Sequence, residues 1–327
     1  MKLGILGTGK IVHDLMNTYK SIGIEKTYLL SSKRSELKAK EMSETYNLDG
    51  VYTDYDQLLG SDIDTVYVAL PNHLHYQYAL KAIRAHKNVI CEKPMTSNME
   101  EFIALKQAAE DHHVYLFEAV TIHAMPAYRK LKEELRELGK IKIVSLNYSQ
   151  YSSRYDAFKE GTILPAFDVH KSGGALYDLN VYNIHFMAGL FGRPMDVSYL
   201  ANIDHEIDTS GIVTMDYGSF KAVLVGAKDC QAPLMNTIQG DEGSIMIDTP
   251  VSRMTHFSLA KNKEEPAMFD LNEDCHAMSY EFKEFIRIIN EHDKEKAQQL
   301  LCTSEIACEI LYKARLSAGI VFDADKA

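Results

Sequence analysis

The chain has 327 residues, of which 46% are hydrophobic and 25% charged, ordinary proportions for a globular protein long enough to hold two domains. Its net charge of −11 argues against nucleic acid and anionic membranes as partners, since both bind basic surfaces. No apolar run approaches the roughly 20 residues that span a bilayer, and the opening MKLGILGTGK reads as a buried strand entering a glycine turn, not as a secretory leader. A cytoplasmic protein is expected. The five cysteines, Cys91, Cys230, Cys275, Cys302 and Cys308, are scattered and form no CxxC pair, which predicts reduced thiols and neither a disulfide framework nor a zinc cage.

Residues 2–6 form the short apolar run of a parallel strand covered on both faces. After a glycine turn, Ile11, Leu15, Tyr19 and Ile22 recur at helical spacing up to Gly23. Residues 27–30 read as a second strand, and the polar stretch SELKAKEMSETY as a helix. Then come a strand at 64–70, a helix at 73–86, a strand at 88–91, a helix at 99–111 and a strand at 114–119. Such alternation predicts a doubly wound parallel sheet of the Rossmann type.

The pattern changes after residue 124. A helix at 126–138 ends at Gly139, a strand follows, and the long loop SSRYDAFKEGTILPAFDVHKSGG leads to a helix at 175–192. Several β-type runs between 195 and 260, separated by turns such as YGS and GDEGS, predict an antiparallel sheet; helices at 276–292 and 296–318 close the chain. The expected organisation is α/β: an N-terminal Rossmann domain at 1–122 and a C-terminal α+β domain with a large, mostly antiparallel sheet at 123–327. FKAVLVGAK is almost continuously apolar, so a sheet covered by helices on one face needs a second cover. A homodimer or homotetramer through that sheet would provide it.

The turn Gly4-Ile5-Leu6-Gly7-Thr8-Gly9-Lys10-Ile11-Val12 joins the first strand to the first helix. Gly7 permits a tight bend, and Gly9, lacking a Cβ, lets the backbone approach a pyrophosphate that free N–H groups then bind. Thr8, Lys10 and Ile11 complete this predicted phosphate loop, while Val12 stands where the fingerprint has a third glycine or alanine. A glycine triplet alone is a weak signal; after the first strand of a βαβ unit it points to a dinucleotide. The second strand ends Leu30-Ser31-Ser32-Lys33-Arg34, without the carboxylate that holds a ribose 2′-hydroxyl. A hydroxyl and two cations at Ser32, Lys33 and Arg34 suit a 2′-phosphate, which predicts NADP(H), with NAD(H) as the alternative.

The stretch YVALPNHLHYQYALKAIRAHKNVICEKPMTSNMEE at 67–101 closely resembles the Gfo/Idh/MocA oxidoreductases, the family of glucose–fructose oxidoreductase, inositol dehydrogenase and dihydrodiol dehydrogenase. The resemblance rests on Ala69-Leu70-Pro71-Asn72, His75, Ala79-Leu80, His86-Lys87-Asn88-Val89 and Glu92-Lys93-Pro94, and extends to PAYRKLKEEL at 126–135 and GGALYDLNVY at 173–182. It implies a metal-free enzyme in which Lys93 points at the reacting carbon. It further implies that Leu70, Pro71 and Asn72 run beneath the cofactor riboses, that Glu92 and Glu118 lie near the ribose or amide, and that His75 lies near the cofactor. It also implies that Asp178 and Tyr182, four residues apart on one helix face, meet the lysine. Asn180 stands where many members have glycine, and His185 where other branches carry an aspartate.

The chemistry of the residues agrees. Lys93 ends a buried strand at the carboxyl edge, where α/β sheets bind ligands, and partial desolvation there favours proton exchange with a substrate hydroxyl. Tyr182, a phenol with an ordinary pKa near 10, needs an adjacent cation to act as a base at neutral pH, and Lys93 can supply it. The expected reaction is hydride transfer between the nicotinamide and a secondary alcohol or carbonyl of a sugar, polyol or cyclic diol, with Asp178 orienting the substrate or the lysine. An NADP(H)-binding redox sensor without turnover is the alternative, as is a reductase of a non-sugar substrate; a sensor has no use for a lysine facing a phenol. His73 and His75 lack a third ligand at suitable spacing, so no metal is expected. Tyr148, Tyr151, Arg154, Tyr155 and Asp168 flank or lie in the long loop, where substrate contacts are common.

Overall fold

A computed structural model describes residues 1–271, 273 and 275–326; Ala327, the last residue of the expected C-terminal domain, lies outside them. The described residues divide into two compact units, those of 1–119 with 278–302 and those of 120–277 with 303–326.

In the first unit, strands β1 (Lys2–Leu6), β2 (Lys26–Leu30), β3 (Gly50–Tyr52), β4 (Thr65–Val68), β5 (Asn88–Glu92) and β6 (Leu116–Ala119) form one sheet in the order β3-β2-β1-β4-β5-β6. All its pairings are parallel. Leu3, Ile5, Val66 and Tyr67 are fully buried, as the unbroken apolar runs require of a sheet covered on both faces. Between the strands run α1 (Lys10–Met16), α2 (Glu36–Tyr46), α3 (Tyr55–Leu59), α4 (His75–Arg84) and α5 (Met99–Asp111). Asn98 caps α5 by accepting from the Glu101 N–H, and Glu101 accepts in turn from the Ser97 N–H. The strand order reverses between β1 and β4, the switch point at which open α/β sheets bind ligands.

The helix α9 (Ala277–Glu291) groups with this unit from Met278 onward, although its place in the sequence sets it with the second domain. Its stripe Met278, Phe282, Phe285, Ile288 joins the core of the parallel sheet; Phe282 meets Tyr67 edge-on and Phe285 stacks on Phe117 at 4.6 Å.

The second unit contains α6 (Pro126–Glu134), β7 (Ile141–Ser149), α7 (Tyr155–Lys159), α8 (Val181–Phe191), β8 (Asp196–Asp204), β9 (Ile207–Asp216), β10 (Lys221–Ala227), β11 (Asn236–Gly240), β12 (Gly243–Ile247), β13 (His256–Lys261) and β14 (Ala267–Asp270). The last helix, α10 (Lys294–Ser317), belongs to it from Thr303 onward. The strands form one sheet in the order β14-β13-β12-β11-β7-β10-β9-β8, antiparallel except for the β7–β10 pair. Val144, Leu146, Val213, Leu224 and Ile238 cluster with Val181, Ile184 and Met187 of α8 to form its core. The single helix expected at 175–192 is instead a π turn at Leu176–Asn180 leading into α8.

Candidate active site

In the first unit the glycine turn has the properties read from its sequence. Gly7 adopts φ +112°, and a Cβ there would lie 2.6 Å from the Ala69 carbonyl oxygen, so only glycine lets β1 pass this close to the end of β4. Gly9 is exposed, and the position of its missing Cβ meets nothing within 4 Å, the open cradle a dinucleotide phosphate needs. Thr8 accepts a hydrogen bond from Lys38 Nζ, Lys10 pairs with Asp14, and Ile11 is half-buried. Val12 is fully buried in the core, so the bulkier third residue of the fingerprint is absorbed by packing. Ser32, Lys33 and Arg34 are exposed at the end of β2, and neither cation forms an ion pair or hydrogen bond among the described residues. The Ser31 hydroxyl beside them is buried without a partner.

The turn after β5 is braced from several sides. His75, fully buried, lies with Nδ1 2.8 Å from the Pro94 carbonyl and Nε2 2.7 Å from the Leu70 carbonyl, tying the Leu70-Pro71-Asn72 segment to the Glu92-Lys93-Pro94 turn. Burial lowers its pKa, so in the neutral ring one nitrogen donates to one of these carbonyls. Its geometry is that of a brace between the two segments. Glu118 accepts from the Met95 N–H at 2.8 Å, which fixes the far side of the turn. The Tyr67 hydroxyl donates to Glu92, whose carboxyl burial nevertheless raises. Lys93 itself is half-buried, its peptide bond to Pro94 is cis, and Pro71 is exposed while Leu70 and Asn72 are half-buried.

Sequence reading missed Glu281 of α9, whose buried Oε1 has no hydrogen-bond partner and whose carboxyl is pushed well up by burial and by Glu92. The signal was there: an acid three residues from Met278 on the apolar stripe of a helix.

In the second unit the π turn carries Asp178 and leads directly to Tyr182. Such one-turn widenings are frequent at functional sites. Its first N–H, that of Leu176, is held by the buried Asp208, which accepts it at 2.6 Å and the Tyr199 hydroxyl at 2.7 Å. The α-helical face expected for Asp178 and Tyr182 assumes regular i, i+4 stacking; the wider turn replaces that register up to Asn180.

Asn180 is fully buried and donates to the Leu224 carbonyl of β10, while Asn183 donates to Asn180. A Cβ on Gly226 would lie 2.8 Å from the Asn180 Cβ. The close approach that a glycine at 180 would give is thus supplied from the opposite side, by Gly226.

Asp178 Oδ2 lies 2.8 Å from Lys228 Nζ, a contact with no counterpart in the sequence reading. Tyr182 is half-buried with its ring 5.9 Å from that of Tyr148. His185 is buried beside His123, nitrogen to nitrogen at 3.4 Å. Tyr148, on β7, tilts its ring toward that of Tyr182; of the loop residues, Tyr151 hydrogen-bonds Asp156, Arg154 is exposed, Tyr155 packs among aromatic rings and Asp168 caps the short turn at His170.

Among the described residues no group of three His, Cys, Asp or Glu side chains could hold a metal ion, and no helix is long and apolar enough to cross a membrane. The family model described as oxidoreductase family, NAD-binding Rossmann fold, matches residues 1–120, and that of the GFO/IDH/MocA C-terminal domain matches residues 128–246. The scyllo-inositol 2-dehydrogenase (NADP(+)) IolU of Bacillus subtilis (strain 168) is 33% identical over 331 residues, covering 100% of both chains. This chain belongs to the Gfo/Idh/MocA family. The trans-1,2-dihydrobenzene-1,2-diol dehydrogenase of Danio rerio is 27% identical, with 99% of each chain covered. The 3-ketoreductase KijD10 of Actinomadura kijaniata, solved with TDP-benzene and NADP, shares the fold at a TM-score of 0.80 and 19% identity, over 98% of this chain and 99% of that one. Like its Gfo/Idh/MocA relatives, the chain is an oxidoreductase with a nucleotide-binding Rossmann unit.

Proposed function

We propose that this protein is an NADP(H)-dependent dehydrogenase of polyols, sugars or cyclic diols, with Lys93, Asp178 and Tyr182 as its reacting set. The observation that carries the reading is the Glu92-Lys93-Pro94 turn. It presents a half-buried amine at the carboxyl end of a parallel sheet and is braced by His75 to the segment beside the glycine turn and by Glu118 to β6. A surface lysine needs no such support.

When bound, the cofactor supplies or accepts the hydride at its nicotinamide C4. Gly7, Thr8, Gly9, Lys10 and Ile11 hold the pyrophosphate over the uncovered backbone of Gly9. Ser32, Lys33 and Arg34 bind the 2′-phosphate, for which two unengaged cations and no carboxylate are well suited. Leu70, Pro71 and Asn72 line the riboses, while His75, Glu92 and Glu118 act by fixing the turn that carries Lys93. Tyr182 takes or returns the hydroxyl proton with the assistance of Lys93, and Asp178 orients the substrate. A relative named for scyllo-inositol and another named for a cyclic diol support the substrate class. The protein works in the cytoplasm as a homodimer or homotetramer, assembled through the exposed face of the antiparallel sheet.

The test is a panel of inositols, sugars and cyclic diols with NADP⁺ and with NAD⁺, followed at the nicotinamide absorbance band. Turnover of a polyol or diol with NADP⁺ is expected; a protein that binds neither cofactor in direct titration overturns the reading.

A further inference from the structure

We propose that Lys228 is a positioning residue that sets the carboxylate of Asp178 for the substrate; this rests on the role given to Asp178 above. Lys228 follows directly on β10, and its backbone is fixed on both sides: its N–H donates to the Thr209 carbonyl at 2.8 Å and its carbonyl accepts from the Ser152 N–H at 2.8 Å. The side chain is 2% exposed. Its amine donates to the Ala166 carbonyl, lies 4.2 Å over the face of the Phe167 ring and meets Asp178 Oδ2 at 2.8 Å. Asp208 adds a second negative charge to its surroundings.

A fully buried amine is costly to desolvate, and a buried ion pair replaced as a whole by apolar side chains of similar volume often leaves the fold as stable or more so. Its value therefore lies in what it holds. Asp178 keeps 34% of its side chain exposed, so one carboxylate oxygen is anchored from beneath while the group still faces solvent.

The anchor is part of a larger template. Leu224 and Gly226 of β10 and Lys228 just beyond its end alternate along the chain and so present to one side of it. Each meets the π turn differently: the Leu224 carbonyl binds Asn180, Gly226 leaves room for Asn180, and Lys228 pairs with Asp178. The strand end thus sets both the backbone of the turn and the direction of its one acidic side chain.

The test uses the full-length enzyme with NADP⁺ and the best alcohol from the panel above, comparing Lys228→Met, Lys228→Arg, Asp178→Asn and the double variant Lys228→Met/Asp178→Asn. Lys228→Met should lower kcat/KM by roughly 10- to 100-fold, the loss of a charge-assisted hydrogen bond, with the Kd for NADPH unchanged. Lys228→Arg should recover part of the loss, and the double variant should be no worse than Asp178→Asn alone. If Lys228→Met fails to fold, Lys228→Gln takes its place in the same comparison. Wild-type kcat/KM in the Lys228 variant, or losses that multiply in the double variant, overturn the proposal. Full activity in Asp178→Asn would instead sink the role of Asp178 itself, a distinguishable result.

Discussion

Lys33 and Arg34 stand exposed at the end of β2, unpaired among the described residues, next to a strand end that offers no carboxylate. Two charge-assisted contacts to a 2′-phosphate follow, each in partly solvated surroundings. Lys33→Ala/Arg34→Ala should raise the Kd for NADP⁺ by about 10- to 100-fold and leave that for NAD⁺ within about twofold, measured by titration of each cofactor. Equal weakening of both would place the cations elsewhere in binding.

Asp208 offers a test at a second residue. Burial raises its pKa to about 6, against an ordinary value of 3.8. A carboxyl that holds its proton more tightly when folded contributes fully below its unfolded value, and that contribution is lost as pH rises through the folded one. In Asp208→Asn an amide oxygen can still accept from Leu176 and Tyr199 but cannot ionise. Between pH 4 and pH 7 the stability of the variant relative to wild type should therefore rise by about 2 kcal/mol, read from denaturant unfolding at each pH. A flat difference across that window would show that Asp208 does not titrate there.

The π turn and β10 fit one another through a single exchange of glycine for side chain. Gly226→Ala would bring a methyl group to 2.8 Å from the Asn180 Cβ, and neither the strand nor the turn can yield cheaply. A loss of about 1–3 kcal/mol is expected, as for overpacked cores, and Asn180→Gly in the same chain should restore part of it by reopening the space. Additive losses in the double variant would mean that the two positions do not share the contact.

Elements of this length set the limit of what periodicity reveals. The parallel strands and long helices were legible because their apolar runs repeat over several residues, but β3 (three residues) and α3 (five residues) are too short to show a period. The π turn was hidden for a related reason: one extra residue in a turn leaves the apolar pattern of the following helix intact. Glycine turn, Lys93 motif and the pair Asp178 and Tyr182 were legible as motifs. Lys228 was not, because a lysine closing a strand reads as a solvated end, and only the pairing of β10 with β7 and β9 shows it is enclosed. Arg315 misleads in the same way: it lies on a helix yet is fully buried, bidentate to Asp325 and 4.2 Å over the Phe322 ring.

The outward side of the antiparallel sheet bears on how the protein assembles. Across β8, β9 and β10 the register aligns Leu200, Ile212 and Val225 in one row, with Leu200 68% and Ile212 39% exposed. Ile143, Met246 and Met268 extend the apolar character to other strands. Exposed apolar side chains of this kind on a lone chain invite a partner, and a second copy supplies an identical sheet under twofold symmetry. Sedimentation at micromolar concentration should give a dimer or tetramer, and Leu200→Glu/Ile212→Glu should shift it toward monomer while NADPH binding persists. A wild-type monomer would remove the assembly. The division of the chain itself was only partly legible: an apolar stripe announces that α9 packs, but cannot say that it packs on the parallel sheet.

The proposed reaction depends on an amine at residue 93 acting at the reacting carbon. Lys93→Met keeps the length and packing of the side chain and removes its charge and protons. Wild type and variant should be compared on one alcohol with NADP⁺, alongside a titration of each with NADPH. Unchanged cofactor affinity with turnover reduced by about a thousandfold or more is predicted, as for removal of a group acting in proton transfer. Turnover at the wild-type rate in Lys93→Met would contradict the account.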